Sequence, residues 1–90
     1  MVQKQLEFRG IRLEHLIEYF KELGGTQLTD TFPIHLNGMG WDCSILSEEV
    51  IKITSGFFVN AVQIIFKADT EEDLESLLKN YRKKTTRVGG

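Results

Sequence analysis

The sequence predicts an α+β fold: a two-layer sandwich in which an antiparallel sheet of four to five strands carries two helices on one face, in the order β-α-β-β-β-β-α. Between residues 32 and 68 apolar side chains recur at every second position, as they do in strands that bury one face. Segments 11–23 and 69–84 instead repeat apolar residues at helical spacing, so each predicts a helix with one apolar stripe. Because the sheet offers one fully apolar face, we expect both helices to pack against it.

The size and composition predict one folded domain. The chain has 90 residues and a mass of 10.3 kDa, which is enough for one hydrophobic core and too little for two. It is 41% hydrophobic and 27% charged, a composition typical of a globular protein. We predict a single domain over residues 1–84 and a flexible C-terminal tail over residues 85–90.

The charge and the cysteine count limit the expected partners and location. A net charge of −2 gives no overall positive field to attract nucleic acid or an anionic membrane, so neither is an expected partner. The one cysteine cannot form an intramolecular disulfide, and the sequence shows no leader peptide and no apolar run approaching a membrane span. These features predict a reduced, cytoplasmic protein.

The first strand and helix follow from their apolar spacing. In the segment 3–9, Leu6 and Phe8 alternate with polar residues, which predicts a half-buried strand. From residue 11 to residue 23 the apolar positions are 13, 16, 17, 20 and 23, which predicts an amphipathic helix ended by Gly24 and Gly25. The polar segment 26–30 is a loop or a short edge strand.

The dipeptide Asn37-Gly38 predicts a hairpin with a two-residue turn, because both residues tolerate the positive φ angles that a type I′ turn requires. This register pairs Leu36 with Met39 and Ile34 with Trp41. Since side chains alternate between faces, the same register predicts one buried face. Its members are Phe32, Ile34, Leu36, Met39, Trp41, Cys43 and Ile45.

Two further strands are predicted after this hairpin. A turn at 47–49 leads into a strand over 50–54 that points Ile51 and Ile53 into the core. A turn at Gly56-Phe57, or a longer loop with a bulge near Val59, then leads into a strand over 60–68. In this last strand the predicted core residues are Val62, Ile64, Phe66 and Ala68.

The second helix has a clear beginning. Thr70 and Asp73 form an approximate capping box, and acidic residues occupy the first turn. Basic residues at 79 and 82–84 follow the apolar stripe, at the end where the helix dipole favours positive charge. The resulting element order resembles one half-repeat of the TATA-binding-protein fold, a similarity of layout that implies no shared function.

The sheet face that the helices leave open is the predicted site of interaction. It carries scattered apolar residues, which fit either an ordinary solvated face or a contiguous docking patch. We predict that a protein partner or a second copy contacts this face, in a noncatalytic module. The interaction residues are Leu46, Ala61, Gln63, Ile65 and His35.

No pattern in the sequence predicts catalysis, a cofactor or a metal. His35 and Asp42 are expected within hydrogen-bonding reach across the hairpin, but without a nucleophile or pocket they are interpreted as a surface pair. His15 and Glu18 lie one helical turn apart and lack a third ligand. Cys43 is predicted to be a buried small hydrophobe, and no phosphate-binding glycine motif occurs.

The C-terminal Gly89-Gly90 supports a second hypothesis about function. In its length and its last two residues the chain resembles the small ubiquitin-like sulfur carriers that serve molybdopterin and thiazole synthesis. The resemblance implies that a terminal glycine carboxylate is activated and thiolated, at the end of a tail thin enough to enter an activating enzyme. Those carriers have a β-grasp fold whose tail leaves a strand, whereas this tail is predicted to follow a basic helix.

Overall fold

In the computed structural model the chain folds into a five-stranded antiparallel sheet with two helices. The structure describes the backbone of residues 1–89 and the side chains of residues 1–86. The predicted fold class and the order β-α-β-β-β-β-α are confirmed. The elements are β1 (Val2–Arg9), α1 (Leu13–Glu22), β2 (Thr26–Gln27), β3 (Ile34–Gly38), β4 (Trp41–Thr54), β5 (Phe57–Ala68) and α2 (Glu71–Gly89).

The sheet places the first and last strands of the chain side by side. Its strand order is β1-β5-β4-β3-β2, and each neighbouring pair is antiparallel. β1 pairs with β5 along its whole length, from Val2 opposite Ala68 to Arg9 opposite Ala61. β1 and the two-residue β2 are therefore the edges of the sheet within the described residues.

The core lies between the inner sheet face and the two helices, and aromatic rings dominate its centre. The ring of Tyr81 on α2 stacks on Phe20 of α1 with centroids 4.2 Å apart. The Tyr81 hydroxyl is buried and donates a hydrogen bond of 2.8 Å to the carbonyl oxygen of Leu16, so the polar end of the side chain is satisfied. This contact and the Lys84–Glu22 ion pair join the helices.

The helix ends follow the sequence signals at two points, and α2 ends later than predicted. Gly24 takes φ +95° directly after the C-cap of α1, and Thr70 Oγ1 accepts a hydrogen bond from the Asp73 amide at the start of α2. The sequence predicts a flexible tail from residue 85; in the structure α2 continues to Gly89 and Thr85 is buried. Gly90 lies outside the described residues.

The hairpin between β3 and β4 turns two residues later than predicted. Gly38 pairs with Trp41, so the loop is Met39-Gly40, and only Gly40 takes a positive φ, of +81°. Asn37 stays in the strand, which removes the type I′ turn. A shift of two residues preserves side-chain alternation, so the predicted burial of Ile34, Leu36, Cys43 and Ile45 is confirmed. The predicted burial of Phe32 and Met39 is wrong, since Phe32 precedes β3 and Met39 is 97% exposed in the loop.

Gly38 is needed for packing and not for a turn. The indole of Trp41, its cross-strand partner, lies over the Gly38 Cα, so an added methyl group there would overlap the indole. Trp41 also contacts Phe20, with ring centroids 5.8 Å apart, and remains partly exposed at the margin of the core. It therefore anchors the edge of the core, where the sequence predicted a fully buried residue.

β4 is one strand of 14 residues, so the predicted turn at 47–49 does not exist. Ile45 pairs with Ile64 and Ser47 pairs with Gln63, which leaves Leu46 as the extra residue of a β-bulge. The bulge changes the alternation beyond it. Ile51 pairs with Val59 on the outer face and Ile53 is exposed, so the prediction that both isoleucines face the core is wrong.

Candidate interaction surfaces

The five predicted interaction residues lie on three adjacent central strands of the sheet. His35 on β3 pairs with Ser44 on β4, which in turn pairs with Ile65 on β5. Gln63 lies two residues before Ile65 on the same face. Ala61 belongs to this row but is only 2% exposed, so its side chain offers almost no area to a partner. Leu46 is half-buried at the bulge.

A polar network occupies the part of the outer face nearest β1. Gln5 Nε2 donates to Gln63 Oε1 at 3.2 Å, and Gln63 Nε2 donates to Glu7 Oε2 at 2.7 Å. Glu7 also forms an ion pair of 2.6 Å with Arg9. Each end of the Gln63 amide makes one of these bonds, which leaves one N–H and one lone pair of the oxygen for a partner.

The predicted pairing of His35 with Asp42 is wrong. His35 Nδ1 lies 2.9 Å from Ser44 Oγ, and Asp42 Oδ1 accepts a hydrogen bond of 2.7 Å from Asn37 Nδ2. The cause is the hairpin register: because the turn lies two residues later, the partner of each β3 residue lies four residues further along β4 than predicted, so His35 faces Ser44. The imidazole therefore has a hydroxyl beside it, and no carboxylate is bonded to it.

The titratable residues singled out in the sequence remain separate. His15 and Glu18 are exposed on α1, and no group of three His, Cys, Asp or Glu residues within the described part of the chain could hold a metal ion. Cys43 is buried, and desolvation by burial, with a smaller contribution from the negative charge of Asp42, raises the pKa of its thiol.

No helix in the described part of the chain is long and apolar enough to cross a membrane.

A long apolar hairpin extends beyond the rest of the sheet. We call residues 50–59 the β4–β5 arm. β1 pairs with β5 only up to Ala61, and β3 pairs with β4 only up to Ile45, so among the described residues neither strand of the arm has a second neighbour. Its large apolar side chains are exposed, by 73% for Val50, 55% for Phe57 and 57% for Phe58.

The arm begins where Asn60 of β5 contacts the segment just before α1. The Asn60 side-chain amide donates to the Ile11 carbonyl oxygen, just before α1, and to Glu48 Oε2 at 2.9 Å. The ten residues of the arm contain one charged residue, Lys52. The sequence analysis did not predict this surface. The adjacent Phe57 and Phe58 could have indicated it, because neighbouring side chains in a strand point to opposite faces and only one of the two can face the core.

One of the two glycines of the carrier hypothesis lies in a helix. Gly89 is the last residue of α2, and Gly90 is outside the described residues. The C-terminal part of the described chain therefore leaves the domain along the helical layer and not along a strand.

Fold and surface together define a small two-layer α+β domain with an exposed apolar hairpin. The chain belongs to the archaeal MoaD-like protein family, whose family model matches residues 4–90. No curated protein matches the sequence.

Proposed function

We propose that this protein serves sulfur-carrier chemistry of the MoaD type. The supporting observation is the family match, which extends over residues 4–90 and so includes Gly89 and Gly90. The same function was the second hypothesis from the sequence, where it depended on chain length and two glycines. Because the chain belongs to a MoaD-like family, the sulfur-carrier hypothesis has stronger support than the hypothesis of a noncatalytic docking module.

The proposed chemistry takes place at a glycine carboxylate and requires partners. An activating enzyme would transfer AMP from ATP to the carboxylate of Gly90 and release pyrophosphate. A donor of sulfur at the oxidation level of hydrosulfide would then attack the acyl carbon, release AMP and leave a thiocarboxylate. The chain itself supplies no catalytic group in this scheme; it supplies the acceptor and the surfaces that dock on the enzymes. This role requires Gly90 to be the last residue of the mature protein.

The helical position of Gly89 is compatible with this role. A tail that enters a narrow active site must be extended, so the last turn of α2 would have to unwind. Glycine is about 1 kcal/mol less favourable than alanine in a helix, and a glycine at the end of α2 therefore lowers the cost of leaving the helical conformation.

Intact mass spectrometry tests the carrier function directly. The protein is incubated with ATP, the activating enzyme encoded in the same genome and a sulfur donor. Replacing one oxygen by sulfur should add about 16 Da, and deleting Gly89-Gly90 should abolish the change without altering the melting temperature, since terminal residues contribute little to stability. An unchanged mass with every component present, or a native gene that continues beyond Gly90, would contradict the proposal.

We propose as a second function that the outer sheet face, which is the first hypothesis from the sequence, forms a docking surface together with the arm. The supporting observation is the exposure of Val50, Ile53, Phe57 and Phe58 on a ribbon with only one charged residue. A two-stranded ribbon is marginally stable by itself, and contact with a partner would bury its apolar surface. The occupant that we test first is a second copy of the chain.

Sedimentation velocity tests the docking surface. Phe57→Lys and Ile65→Lys, which both change the outer face of β5, should each shift the sedimentation coefficient toward the monomer while the circular dichroism spectrum stays unchanged. Asn80→Lys is the matched control, because it adds the same charge at an exposed position of α2 that belongs neither to the arm nor to the outer sheet face. A wild-type protein that is monomeric even at high concentration would exclude self-association through this surface.

A further inference from the structure

The edge of the sheet at β1 has unpaired backbone groups along one side. The Gly10 amide donates to the Asn60 carbonyl oxygen at 3.0 Å, and the β1–β5 register continues from there without interruption. Because amides alternate in direction along a strand, the even-numbered residues of β1 bond to β5. The amides and carbonyls of Gln3, Gln5 and Glu7 therefore point to the open edge, where no described strand lies beside them.

A cleft runs along this edge between β1 and α2. One part has a volume of about 710 Å³ and lies between Lys4 and the C-terminal half of α2, where Leu78 forms its apolar wall. A second part, of about 420 Å³, continues toward Val2 and Leu74. The cleft therefore follows β1 beside its unpaired backbone, with an apolar wall on the helix side.

Positive charge is concentrated at one end of the cleft. Four of the seven residues that line the larger part are cationic, against one acidic residue, although the whole chain is slightly acidic. None of the four forms an ion pair with a described side chain. The cations are Lys4, Lys79, Arg82 and Lys83.

The helix dipole explains only part of this cluster. Basic residues near the C-terminus of α2 are favoured by the dipole whether or not a ligand binds there. Lys4 belongs to β1, in the row of even-numbered residues whose other members, Val2, Leu6 and Phe8, pack against the core. A lysine in this otherwise apolar row places a fourth cation in the cleft from a second element.

We propose that this cleft binds an extended, acidic peptide segment of a partner protein, which pairs with β1 as a sixth strand. The segment would bond to the outward amides and carbonyls of β1, a recognised mode of peptide binding at sheet edges. Alternate side chains of the segment would face α2. There an apolar side chain contacts Leu74 or Leu78, and a carboxylate two residues away meets Lys4, Lys79 or Arg82, because side chains at i and i+2 share a face.

Selection from a displayed library of random octapeptides tests this proposal, since β1 has eight residues. Enriched peptides should carry an aspartate or glutamate two positions from an aliphatic residue. A synthetic copy of the best peptide, labelled with fluorescein, should bind the whole protein with an affinity that falls as salt rises. No enrichment, or enrichment without acidic residues, would overturn the proposal.

Two pairs of variants separate the backbone contact from the charge contact. Gln5→Pro removes an outward amide and should weaken peptide binding about tenfold, whereas Gln5→Ala keeps the amide and should bind like wild type. Lys79→Gln/Arg82→Gln should weaken binding about tenfold, and Lys21→Gln/Lys52→Gln, with the same change of net charge, should not. If Gln5→Pro does not fold, the two charge variants still decide the proposal.

Two other occupants of the cleft would overturn the proposal. If the wild type dimerises and Gln5→Pro alone abolishes the dimer, the edge pairs with a second copy. If a labelled single-stranded oligonucleotide binds with dependence on Lys79 and Arg82 while the peptides do not, the cations recognise phosphate groups and not carboxylates.

Discussion

The two halves of β4 have the same alternating pattern and opposite environments. In the segment 41–45, Cys43 and Ile45 are buried under the helices, with β3 on one side and β5 on the other. In the segment 50–54, Val50 and Ile53 are exposed, and β5 is the single neighbouring strand among the described residues. Alternation of apolar residues therefore indicates a strand, but the other elements determine whether a face of that strand is covered.

The lengths of the neighbouring elements explain the difference. β3 has five residues and β1 has eight, whereas β4 has fourteen and β5 has twelve. The hairpin of β4 and β5 therefore continues past both neighbouring strands. The bulge at Leu46 lies between the halves and changes which residues face the helices in the second half.

The largest expected contrast in stability is between one isoleucine in each half. Ile45→Ala should lower the free energy of unfolding by about 2–5 kcal/mol, because it leaves a cavity in the covered half. Ile53→Ala in the arm should lower it by less than about 1 kcal/mol. Urea denaturation of both variants measures the contrast. Equal losses would show that the arm is as well packed as the core.

A smaller effect is expected where Trp41 meets Gly38 at the end of the covered half. Gly38→Ala should cost about 1–3 kcal/mol, because the added methyl group overlaps the indole. In a Trp41→Ala background the same change should cost much less, so a double-mutant cycle should show strong coupling. Additive free energies would mean that Gly38 is required for its backbone conformation and not for the contact with Trp41.

The pH dependence of stability should also report on the covered half. Desolvation raises the pKa of both Cys43 and Tyr81 in the folded protein, whereas the unfolded chain has ordinary values of about 8.5 and 10. The folded state therefore keeps protons that the unfolded state releases. The contribution of these two groups to stability should be constant below about pH 8 and fall as pH rises further, by up to about 1.4 kcal/mol per pH unit for each group.

Urea midpoints between pH 7 and pH 11 measure this loss. Cys43→Ala is the control, because it should remove the part of the decline that begins nearest pH 8.5 and leave the part due to Tyr81. An arm variant such as Ile53→Ala should retain the full decline. A wild-type midpoint that does not change up to pH 11 would contradict the burial of both groups.

The residues that could be predicted from the sequence are those governed by local patterns. The two helices, β1, the Thr70 cap and the buried faces of β3 and β5 follow from periodicity and capping. The register of the β3–β4 hairpin could not be predicted from local patterns. Asn37-Gly38 has the sequence of a turn, but Gly38 is a glycine because it contacts the Trp41 indole. The predicted turn at 47–49 was wrong. The alternation changes there because of a β-bulge at Leu46 within one continuous strand, and not because the strand ends.

The candidate site was harder to predict than the fold. Gln63 and Ile65 lie on the outer face as expected, but the arm and the β1–α2 cleft depend on where other elements end. Relative lengths of strands arise from long-range pairing and leave no local signal in the sequence. The four cations of the cleft are separated by up to 79 positions, so only the fold brings them together.

Hydrogen exchange along β4 tests most directly the claim that one half supports the fold and the other is free to bind. It is measured residue by residue at a concentration where the protein sediments as a monomer. Amides in the segment 41–45 should exchange only by global unfolding, and amides in the segment 50–54 should exchange much faster, through local opening of the arm. Equal protection from Trp41 to Thr54 would contradict this account, because it would show that the arm is already as stable as the core in the isolated protein.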